Sequence, residues 1–543
     1  MEDKVDVRVP VLVVGGSLVG LSTSLFLSRH GVRHMVVEKH AGTSVHPRGR
    51  GINARTMELF RTAQAEPAIR SAAAVLEENH GILQAQSLVG GEFNWLIKGV
   101  DPSGALARFS PTGWCLCSQN NIEPELAKQS RAQGADVRFS TELMSFDQDE
   151  EGVTALVKDR ETGEHLTVRA DFLIAADGPR SPVREALRIP QTGSGELFHN
   201  VSITFRSEQL IEVLGDVRFI VCYLMRPGAD GALLPVDNET QWVFHAPWHP
   251  ENGETLEDFT DERCARQIRA AVGVPDLDVE IGGRAPWHAA ERVAEWYSSG
   301  RAFLVGDAAH EMSPTGAFGS NTGIQDAHNL AWKIAAVLQG AAGQELLDTY
   351  EAERLPVARA TSLRASARSA EHSHPGYTPP PTMGGGPGSG VLTTAMGYCY
   401  PQGAVVGGDP GRPIIPEALR LKGDVGTRAP HMWVTRAGER ISLLDLYERS
   451  FVLLSAAGTP WRTAAAQVAE QLSARLAGYT IGSAADADLV QPADADWTEV
   501  HEIGAGGAVL VRPDGFVAWR CEDAVADPQE ALLTAMMTVL RRD

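Results

Sequence analysis

Residues 11–20 read VLVVGGSLVG, and Glu38 closes the run HMVVE eighteen residues after Gly20. The β-branched run ahead of the glycines is typical of a buried parallel strand, and the apolar residues after them recur at helical spacing. Gly15 lets the backbone turn sharply, and Gly20 lets the helix approach the strand closely. The pattern therefore predicts a strand, a tight turn, a helix and a second strand at residues 35–37.

The start of this helix, at Leu18, predicts a binding site for a dinucleotide. Unpaired N–H groups and a partial positive charge there favour a pyrophosphate, and Glu38 is placed to accept hydrogen bonds from ribose hydroxyls. Ser17 departs from the G-x-G-x-x-G pattern, but serine is small and its hydroxyl can donate to a phosphate. The strand, the helix and the acid at the right distance favour dinucleotide binding over a purely structural turn. FAD and NAD(P) both stay open at this point.

The composition is that of an ordinary globular protein. The chain has 543 residues, enough for about three domains, of which 43% are hydrophobic and 22% charged. It contains no run of eighteen apolar residues, and its first ten residues are polar and acidic. We therefore expect no membrane span, no signal peptide and a cytoplasmic location. A net charge of -21 disfavours broad contact with nucleic acid or with an anionic membrane.

The cysteines and histidines predict neither a disulfide framework nor a metal site. Cys115 and Cys117 are separated by one residue, and the other four cysteines are scattered. The sixteen histidines form no H-E-x-x-H pattern and no Cys/His cluster. We expect buried free thiols and no metal.

Two arginines lie in the glycine-containing loop HPRGRG, ahead of a helix that is predicted to begin near Asn53. An isolated arginine in such a loop is most often solvated. Arg48 and Arg50 follow the nucleotide-binding strand closely, however, so a guanidinium here could hold a phosphate or stabilise an anionic ring. Further along, Gln119 lies where a short predicted strand meets a helix, and Leu143 begins another predicted strand.

A strand predicted at residues 302–305 ends in Gly306-Asp307, and a loop then leads into a long helix. At this strand end, Asp307 can accept hydrogen bonds from a ribityl hydroxyl of a flavin. The loop carries Pro314, Gly316 and Gly319, and it would bring the helix N-terminus close to the pyrimidine edge of the flavin. The positive end of the helix would stabilise an anionic reduced ring there. These features favour FAD.

Three motifs together resemble those of the class A flavoprotein aromatic hydroxylases, the p-hydroxybenzoate hydroxylase fold group, and most closely its polyketide-tailoring members. The motifs are GGSLVG with Glu38, a predicted strand ending in Asp177-Gly178 with Arg184 after it, and Gly306-Asp307 followed by PTGAFGSNTGIQDA. The resemblance implies a non-covalent FAD that is bound by Gly15, Ser17, Leu18, Gly20, Glu38, Arg48, Gln119, Leu143, Asp177, Arg184, Asp307, Pro314, Gly316, Gly319 and Asn321. It associates the Asp177-Gly178 segment also with NADPH or NADH, a transient co-substrate. Arg48, Arg50 and Pro314 are predicted to act in catalysis.

Residues 189–284 have a different texture, with aromatic and β-branched runs joined by polar turns, which predicts an antiparallel sheet. In the resembling family this sheet covers the reacting edge of the flavin. We therefore predict a substrate pocket at Phe219, Tyr223 and Trp242, with plain core packing as an equal alternative. Phe318 stands in a loop that is often richer in glycine, and we expect it to face the substrate.

A proline- and glycine-rich segment from residue 371 predicts a linker. The part after it resembles the thioredoxin-like C-terminal domain of phenol and polyketide hydroxylases. No C-x-x-C follows its strand FVLLSA, so we expect packing or dimerisation rather than dithiol chemistry. The predicted fold class is α/β, with a Rossmann-like FAD-binding domain (1–188 and 285–370), an inserted substrate domain with a largely antiparallel, mixed sheet (189–284), a linker (371–404) and the thioredoxin-like unit (405–543).

The resemblance implies an FAD-dependent monooxygenase of antibiotic or other secondary-metabolite biosynthesis. It would use NAD(P)H and O2 to hydroxylate a large phenolic polyketide, which attacks a flavin C4a-hydroperoxide. Two alternatives stay open. The sequence hardly distinguishes the predicted hydroxylase from a Baeyer–Villiger-type flavin oxygenase of the same fold. A non-catalytic nucleotide-binding scaffold would leave the Gly306-Asp307 motif unexplained. The sequence decides neither the exact substrate nor the oligomeric state, for which a homodimer is one option.

Overall fold

The computed structural model describes residues 5–47, 49–101, 103–371, 390–483 and 487–542. The helices of these ranges are α1 (Leu18–Arg29), α2 (Ala54–Thr62), α3 (Glu66–Ala73), α4 (Gln119–Ala132), α5 (Pro182–Ala186), α6 (Gln209–Leu214), α7 (Asp261–Val272), α8 (Phe318–Leu338), α9 (Asp348–Glu371), α10 (Val391–Met396), α11 (Trp461–Leu472), α12 (Trp497–His501) and α13 (Pro528–Leu540).

The strands of the same ranges are β1 (Val7–Val14), β2 (His34–Val37), β3 (Gly51–Ile52), β4 (Ile82–Ala85), β5 (Asn94–Ile97), β6 (Cys115–Leu116), β7 (Asp136–Arg138), β8 (Thr141–Gln148), β9 (Val153–Asp159), β10 (His165–Ala175), β11 (Gln191–Arg206), β12 (Val221–Leu224), β13 (Gly231–Pro235), β14 (Gln241–Trp248), β15 (Glu280–Ala294), β16 (Ser298–Ser299), β17 (Ala302–Leu304), β18 (His310–Glu311), β19 (Trp433–Arg436), β20 (Glu439–Ser442), β21 (Phe451–Ala456), β22 (Leu476–Gly482), β23 (Leu489–Val490), β24 (Ala508–Val511) and β25 (Val517–Cys521).

The first sheet has a parallel centre in the order β17-β10-β1-β2-β7, to which β9 and β8 add an antiparallel extension beside β10. Both strands of the predicted first motif are present as β1 and β2. Val14 lies opposite both Val37 and Ala175, and Ala175 lies opposite Leu304. The carboxyl ends of four neighbouring strands therefore meet at one edge, which is where open α/β sheets bind their ligands.

One strand of this sheet is longer than the sequence predicts. The sequence pattern predicts one strand at residues 166–168, in a hairpin with residues 153–157, and a separate strand at residues 172–175, but both belong to the single strand β10. The polar residues between them do not interrupt the ladder, because Arg169 pairs with Asp149 at 2.7 Å and stays in register with β1 and β9. The result is a continuous strand that links the hairpin to the ligand edge.

Helices α1, α4 and α8 pack together over the parallel sheet. The long helix predicted after the glycine loop is confirmed as α8. Its apolar residues at steps of three and four, Ile324, Ala327, Ala331 and Ile334, are all buried in the core that the helices and the sheet share. This packing holds the first turn of α8 close to the ligand edge.

The second sheet has the order β18-β15-β11-β14-β13-β12-β4-β5 and is antiparallel except for the pair β12 and β4. Most of its strands come from the predicted segment 189–284. Two further strands, β4 and β5, come from earlier in the chain, because Leu83 and Ala85 bury their side chains in the same core. Helices α6 and α7 cover that face of the sheet.

The C-terminal unit is a third sheet in the order β20-β19-β23-β22-β21-β24-β25, with α11 packed against α13. The predicted strand FVLLSA is β21, and the stretch AVLVRPDGFVAWR, whose pattern predicts a hairpin, forms β24 and β25. The pattern of residues 461–477 predicts a helix, but α11 ends earlier, at Leu472, because Ser473 adopts φ of 50° and the next segment pairs with β21 as β22. Of the predicted linker, residues 372–389 lie outside the described ranges.

Five cysteines are buried free thiols as expected, and the sixth, Cys521, is half-buried. Over the described ranges, no group of three or more His, Cys, Asp or Glu side chains is arranged to hold a metal ion. None of the described helices combines the length and the apolar character that a membrane span requires.

Candidate functional site

The turn between β1 and α1 has no room for a side chain at its two glycines, Gly15 and Gly16. Gly15 has φ of 106°, and a Cβ atom built on it would collide with the Ala176 carbonyl oxygen. A Cβ atom on Gly20 would collide with the Gly15 carbonyl oxygen. Gly16, which the motif did not predict as a site residue, would place a Cβ only 2.7 Å from the Cβ of Glu38. The backbone of this turn is therefore open to close approach by a ligand.

Glu38 lies beside the turn, at the end of β2. The Gly16 N–H donates to its Oε2 over 2.7 Å, and the His40 N–H donates to its Oε1 over 2.9 Å. The residue is 8% exposed. Two backbone donors thus fix the carboxylate next to the first turn of α1.

The N-terminus of α1 has no side-chain cap, although Ser17 occupies the capping position. The Ser17 hydroxyl instead donates to Glu123 Oε1 over 2.5 Å, and Gln119 Nε2 donates to Ser17 Oγ over 2.9 Å. The predicted residues Ser17 and Gln119 are thus brought together. Glu123 was missed, although its place four residues after Gln119 on α4 was a signal, since such residues share one helix face. Leu18, the first residue of α1, is buried.

Asp177 lies just beyond β10, and its two carboxylate oxygens differ in their surroundings. Its Oδ2 accepts from the Val183 N–H over 3.2 Å, whereas its buried Oδ1 has no hydrogen-bond partner among the described residues. Burial raises the pKa of Asp177. A buried oxygen of this kind calls for a donor, and none of the described residues supplies one.

Arg184 joins the second and third motifs. Its guanidinium donates to the Pro179 carbonyl and to the Ala308 carbonyl, over 2.8 Å in each case. Ala308 belongs to the short 3-10 turn Gly306–Ala308, which follows β17. In this turn Gly306 and Ala308 are buried but Asp307 is exposed, so its carboxylate lies at the open edge.

Helix α8 fixes the position of the Gly306–Ala308 turn. A Cβ atom on Gly323 would lie 2.7 Å from the Gly306 Cα, so helix and turn are in direct backbone contact. Gly306 N–H also donates to Asp326 Oδ2, on the same helix, over 3.3 Å. Neither Gly323 nor Asp326 was predicted, because their function depends on a contact between distant segments.

The loop ahead of α8 is tight at one glycine and open at another. Gly316 has φ of 94°, and its Cβ would lie 2.5 Å from the ring of Phe318, which is buried beneath the loop. Gly319 has space, because its nearest neighbour would be Met312 Cβ at 3.8 Å. Pro314 is exposed at the loop surface.

Asn321 ties this loop to the segment that precedes α2. Its Nδ2 donates to the Ala317 carbonyl over 2.6 Å and to the Gly51 carbonyl over 2.8 Å. Its Oδ1 accepts from the Asn53 N–H over 3.0 Å. The indole of Trp114 packs on the same point, since a Cβ on Gly51 would lie 2.5 Å from it.

Arg50 connects the first domain to the second sheet. Its guanidinium donates to the Ile220 carbonyl over 2.8 Å and also to the Pro235 carbonyl. Burial lowers the pKa of Arg50 to about 10. Arg48 lies outside the described residues. Leu143 lies on β8, half-buried against the core of the first domain.

The two faces of the second sheet separate the predicted pocket residues. Phe219 and Trp242 are buried in the core with α6 and α7. Tyr223 is on the other face, because its strand neighbours Cys222 and Leu224 point into that core. Phe219 and Trp242 therefore pack in the core, which was the alternative to a place in the substrate pocket.

Polar side chains form a row on the face that carries Tyr223. Ser202 lies opposite His245, His245 opposite Ala232, and Ala232 opposite Tyr223. Ser202 Oγ and the Nδ2 of Asn200, two residues earlier on β11, are buried without a hydrogen-bond partner in the part of the chain that the structure describes. We call Asn200, Ser202, His245 and Tyr223 the polar wall.

The end of α9 lies near the polar wall. Burial raises the pKa of the Tyr223 hydroxyl to about 12, and the charge of Arg368 acts in the opposite direction. Ser369 donates to Thr315 Oγ1 over 2.7 Å and contacts Ser313. The loop ahead of α8 and the polar wall therefore share one neighbour, the last turns of α9.

Comparison with known proteins agrees with this geometry. A family model described as an FAD binding domain matches residues 8–365, and one described as the C-terminal domain of aromatic-ring hydroxylases matches residues 422–542. The chain belongs to the FAD-dependent aromatic-ring hydroxylases. This aromatic-ring hydroxylase is an enzyme with FAD as its cofactor, as predicted.

Relatives of this hydroxylase match over nearly its whole length. It is 65% identical over 538 residues to a Streptomyces halstedii protein named as a polyketide hydroxylase, with 98% of this chain and 97% of that protein covered. It is 41% identical over 558 residues to the tetracenomycin A2 monooxygenase-dioxygenase of Streptomyces glaucescens, with coverage of 98% and 97%. A crystal structure of aklavinone-11 hydroxylase with FAD and aklavinone matches with a TM-score of 0.87 and 36% identity, over 99% of this chain and 100% of that chain.

The described residues of this aromatic-ring hydroxylase fit FAD. The side-chain-free turn at Gly15 and the uncapped start of α1 leave backbone N–H groups for a pyrophosphate. The buried Oδ1 of Asp177 has no protein partner in the described ranges, and Asp307 is exposed at the same edge.

Proposed function

We propose that the protein is an NAD(P)H-dependent monooxygenase that hydroxylates a large phenolic, polyketide-type aromatic compound. The relatives support this substrate class, since they are named for polyketides, tetracenomycin A2 and aklavinone. The single observation that carries the proposal is the polar wall, which leaves two buried polar atoms unpartnered within the described residues. When bound, FAD supplies the redox chemistry, because it accepts hydride from NAD(P)H and activates O2.

The cofactor contacts are assigned by position along the edge of the first sheet. Glu38 would hold the ribose of the adenosine, and the first turn of α1 with Ser17 and Gln119 would hold the pyrophosphate. Asp307 would accept hydrogen bonds from the ribityl chain. The loop with Pro314, Gly316 and Gly319, together with Asn321 and the start of α8, would border the isoalloxazine. Gly15, Leu18, Gly20, Leu143, Asp177 and Arg184 complete the proposed cofactor set.

The polar wall would hold the substrate. Ser202 and Tyr223 lie three strand spacings apart, about 14 Å at the usual distance between strands. A single phenol ring is too short to reach both side chains, whereas several fused rings with oxygen functions at both ends would span them. The Oγ of Ser202 and the Nδ2 of Asn200, which lack a partner among the described residues, would pair with such oxygens and would disfavour molecules that lack them.

The remaining predicted residues have separate roles. Arg50 would act as a positioning residue, because its hydrogen bonds to the Ile220 and Pro235 carbonyls hold the second sheet against the first domain. Pro314, which the resemblance predicts to act in catalysis, would border the flavin ring from the loop ahead of α8. For the substrate pocket we keep Tyr223 and Phe318, and we do not include Phe219 or Trp242, which lie on the opposite face. Arg48 stays a prediction.

The proposal is tested by comparing a tetracyclic phenolic polyketide with a single-ring phenol under NADH and then NADPH. We expect the tetracyclic compound to yield a ring-hydroxylated product in nearly equal amount to the NAD(P)H oxidised. The single-ring phenol should give slow NAD(P)H oxidation that ends mostly in hydrogen peroxide, because it does not fill the wall. Equal hydroxylation of both compounds would contradict the assignment of the wall. A ring-expanded lactone as product would favour the Baeyer–Villiger alternative.

A further inference from the structure

The hairpin of β24 and β25 turns at residues 512–516, which read RPDGF and are buried against the FAD-binding domain. Turns with proline, aspartate and glycine normally lie at a protein surface. Here the side chain of Arg512 is fully buried and that of Asp514 is 2% exposed. The Asp514 carbonyl accepts from Arg55, on α2, over 2.6 Å. We call residues 512–516 the docking turn.

Glu353 on α9 is the main partner of the docking turn. Both terminal nitrogens of Arg512 donate to its carboxylate, over 2.7 and 2.8 Å. Lys333 and Asn329, both on α8, donate to Glu353 Oε2 over 2.8 and 2.7 Å. The Ala404 N–H adds a fifth bond, to Oε1, over 2.8 Å. One carboxylate therefore joins the C-terminal unit to two helices of the FAD-binding domain.

The charges of this buried cluster balance. Arg512 and Lys333 supply two positive charges, and Glu353 and Asp514 supply two negative ones, each side chain being at most 2% exposed. Burial alone would raise the pKa of Glu353, but the charges of Arg512 and Lys333 lower it to about 2. Loss of Arg512 would leave two carboxylates beside one cation, which a buried site tolerates poorly.

Arg354, the residue after Glu353, continues the connection to the ligand edge. Its Nε donates to Asp326 Oδ1 over 2.7 Å, and both side chains are fully buried. Asp326 Oδ2 accepts from the Gly306 N–H over 3.3 Å and lies 2.7 Å from His310 Nε2. The contacts thus run without a break from the docking turn through α9 and α8 to the turn that carries the exposed Asp307.

We propose that Arg512 is a positioning residue of the flavin site: by fixing Glu353 it fixes α8 and α9 and, through them, the Gly306–Ala308 turn. The inference rests on the proposed function, because the role of Asp307 in holding FAD is assigned there. The C-terminal unit then contributes to FAD retention and to the coupling of NAD(P)H oxidation to hydroxylation. Packing and dimerisation, the roles expected from the sequence, do not include this contribution.

Three variants of the full chain test the inference. Arg512→Met removes the charge, Arg512→Lys keeps the charge but loses the two-pronged geometry, and Glu353→Gln with Arg512→Met restores charge balance without the ion pair. For each variant we would measure the FAD dissociation constant, the visible circular dichroism of bound FAD, the peroxide yield and the melting temperature. Arg61→Met is the matched control. Arg61, at the end of α2, also joins the FAD-binding domain to the C-terminal unit, because its Nε donates to Asp445 over 2.7 Å.

We expect Arg512→Lys to fold and to bind FAD roughly tenfold more weakly, with an altered flavin signal and more peroxide. The double variant should regain melting temperature relative to Arg512→Met but keep the weak FAD binding, and Arg61→Met should bind FAD normally. Wild-type FAD affinity and coupling in Arg512→Lys and in the double variant would overturn the inference. Asp307→Ala in the same titration separates the two proposals: if it alone binds FAD normally, the assignment of Asp307 fails, not the positioning role.

Discussion

Asp307 is the exposed member of a turn whose other residues are buried, and we expect it to anchor FAD without touching the reacting edge. In Asp307→Ala, the lost charge-assisted hydrogen bonds should weaken FAD binding roughly tenfold or more. With excess FAD, NAD(P)H oxidation should continue while the fraction that ends as hydrogen peroxide rises, because a loosely held ring admits water. FAD titration and a peroxide assay on one preparation check this. If Asp307 merely caps a turn, the variant melts earlier with unchanged FAD affinity and coupling.

Ser202 is the clearest candidate for a substrate contact that the sequence did not reveal. Its Oγ is buried on the polar wall without a partner among the described residues. In Ser202→Ala, the KM for a tetracyclic phenol should rise roughly fivefold, the cost of one neutral hydrogen bond, with little change in kcat or in FAD affinity. Thr204→Ser, on the same face of β11 and only half-buried, is the matched control. An unchanged KM in Ser202→Ala would remove Ser202 from the proposed wall.

Residue positions were predictable where a local pattern dictates them. The glycine turn and the place of Glu38 beside it follow from the strand-turn-helix motif and its spacing, whereas the hydrogen bond between Ser17 and Gln119 was not predicted. Strand alternation over residues 219–223, by contrast, predicts that Phe219 and Tyr223 share one face, which is wrong. Phe219 precedes β12, so the alternation does not extend to it, and its side chain lies in the core with Trp242. Ser202 gave no signal because a lone serine in a strand is common.

Helix α8 fixes the position of the Gly306–Ala308 turn through a contact that only glycine permits. In Gly323→Ala, the added methyl would approach the Gly306 Cα to 2.7 Å and push turn and helix apart. We expect a loss of about 1 to 3 kcal/mol of stability from this overpacking. FAD binding should weaken as well, because Asp307 moves with the turn. Thermal melting and FAD titration check both effects, and a variant with normal FAD binding would show that α8 does not set the turn.

The elements themselves were largely predictable, and the misses share a cause. Long periodic segments such as α8, and hairpins such as β24 and β25, were recognised because their patterns are local. Helix α11 ends before its predicted limit and β10 joins two predicted strands, since in both cases pairing with a neighbouring strand decides the boundary. The burial of the docking turn was not predictable, because its composition is typical of a surface turn.

The whole chain should lose stability as the pH falls below neutrality. Burial lowers the pKa of His30 and His328 to about 3, and that of His431 and His501 to about 4, from an ordinary value of 6.5. Below pH 6.5 the unfolded chain therefore binds protons that the folded chain does not, so stability is full above that pH and falls towards pH 4. Melting temperature against pH measures this loss. His328→Phe should flatten the slope, and His165→Gln, at an exposed site, is the control. Equal slopes in all three proteins would contradict the prediction.

Oxygen transfer to an aromatic ring of the substrate requires the ligand edge, the polar wall and the C-terminal unit together. The most direct measurement is turnover of a tetracyclic phenolic polyketide under isotopically labelled O2, with the product examined by mass spectrometry and NMR. We predict a single labelled oxygen atom, present as a new hydroxyl group on an aromatic carbon, in an amount that matches the NAD(P)H consumed. NAD(P)H oxidation that yields only labelled hydrogen peroxide with every polycyclic phenol tested, or label inserted between two ring carbons, would contradict this account.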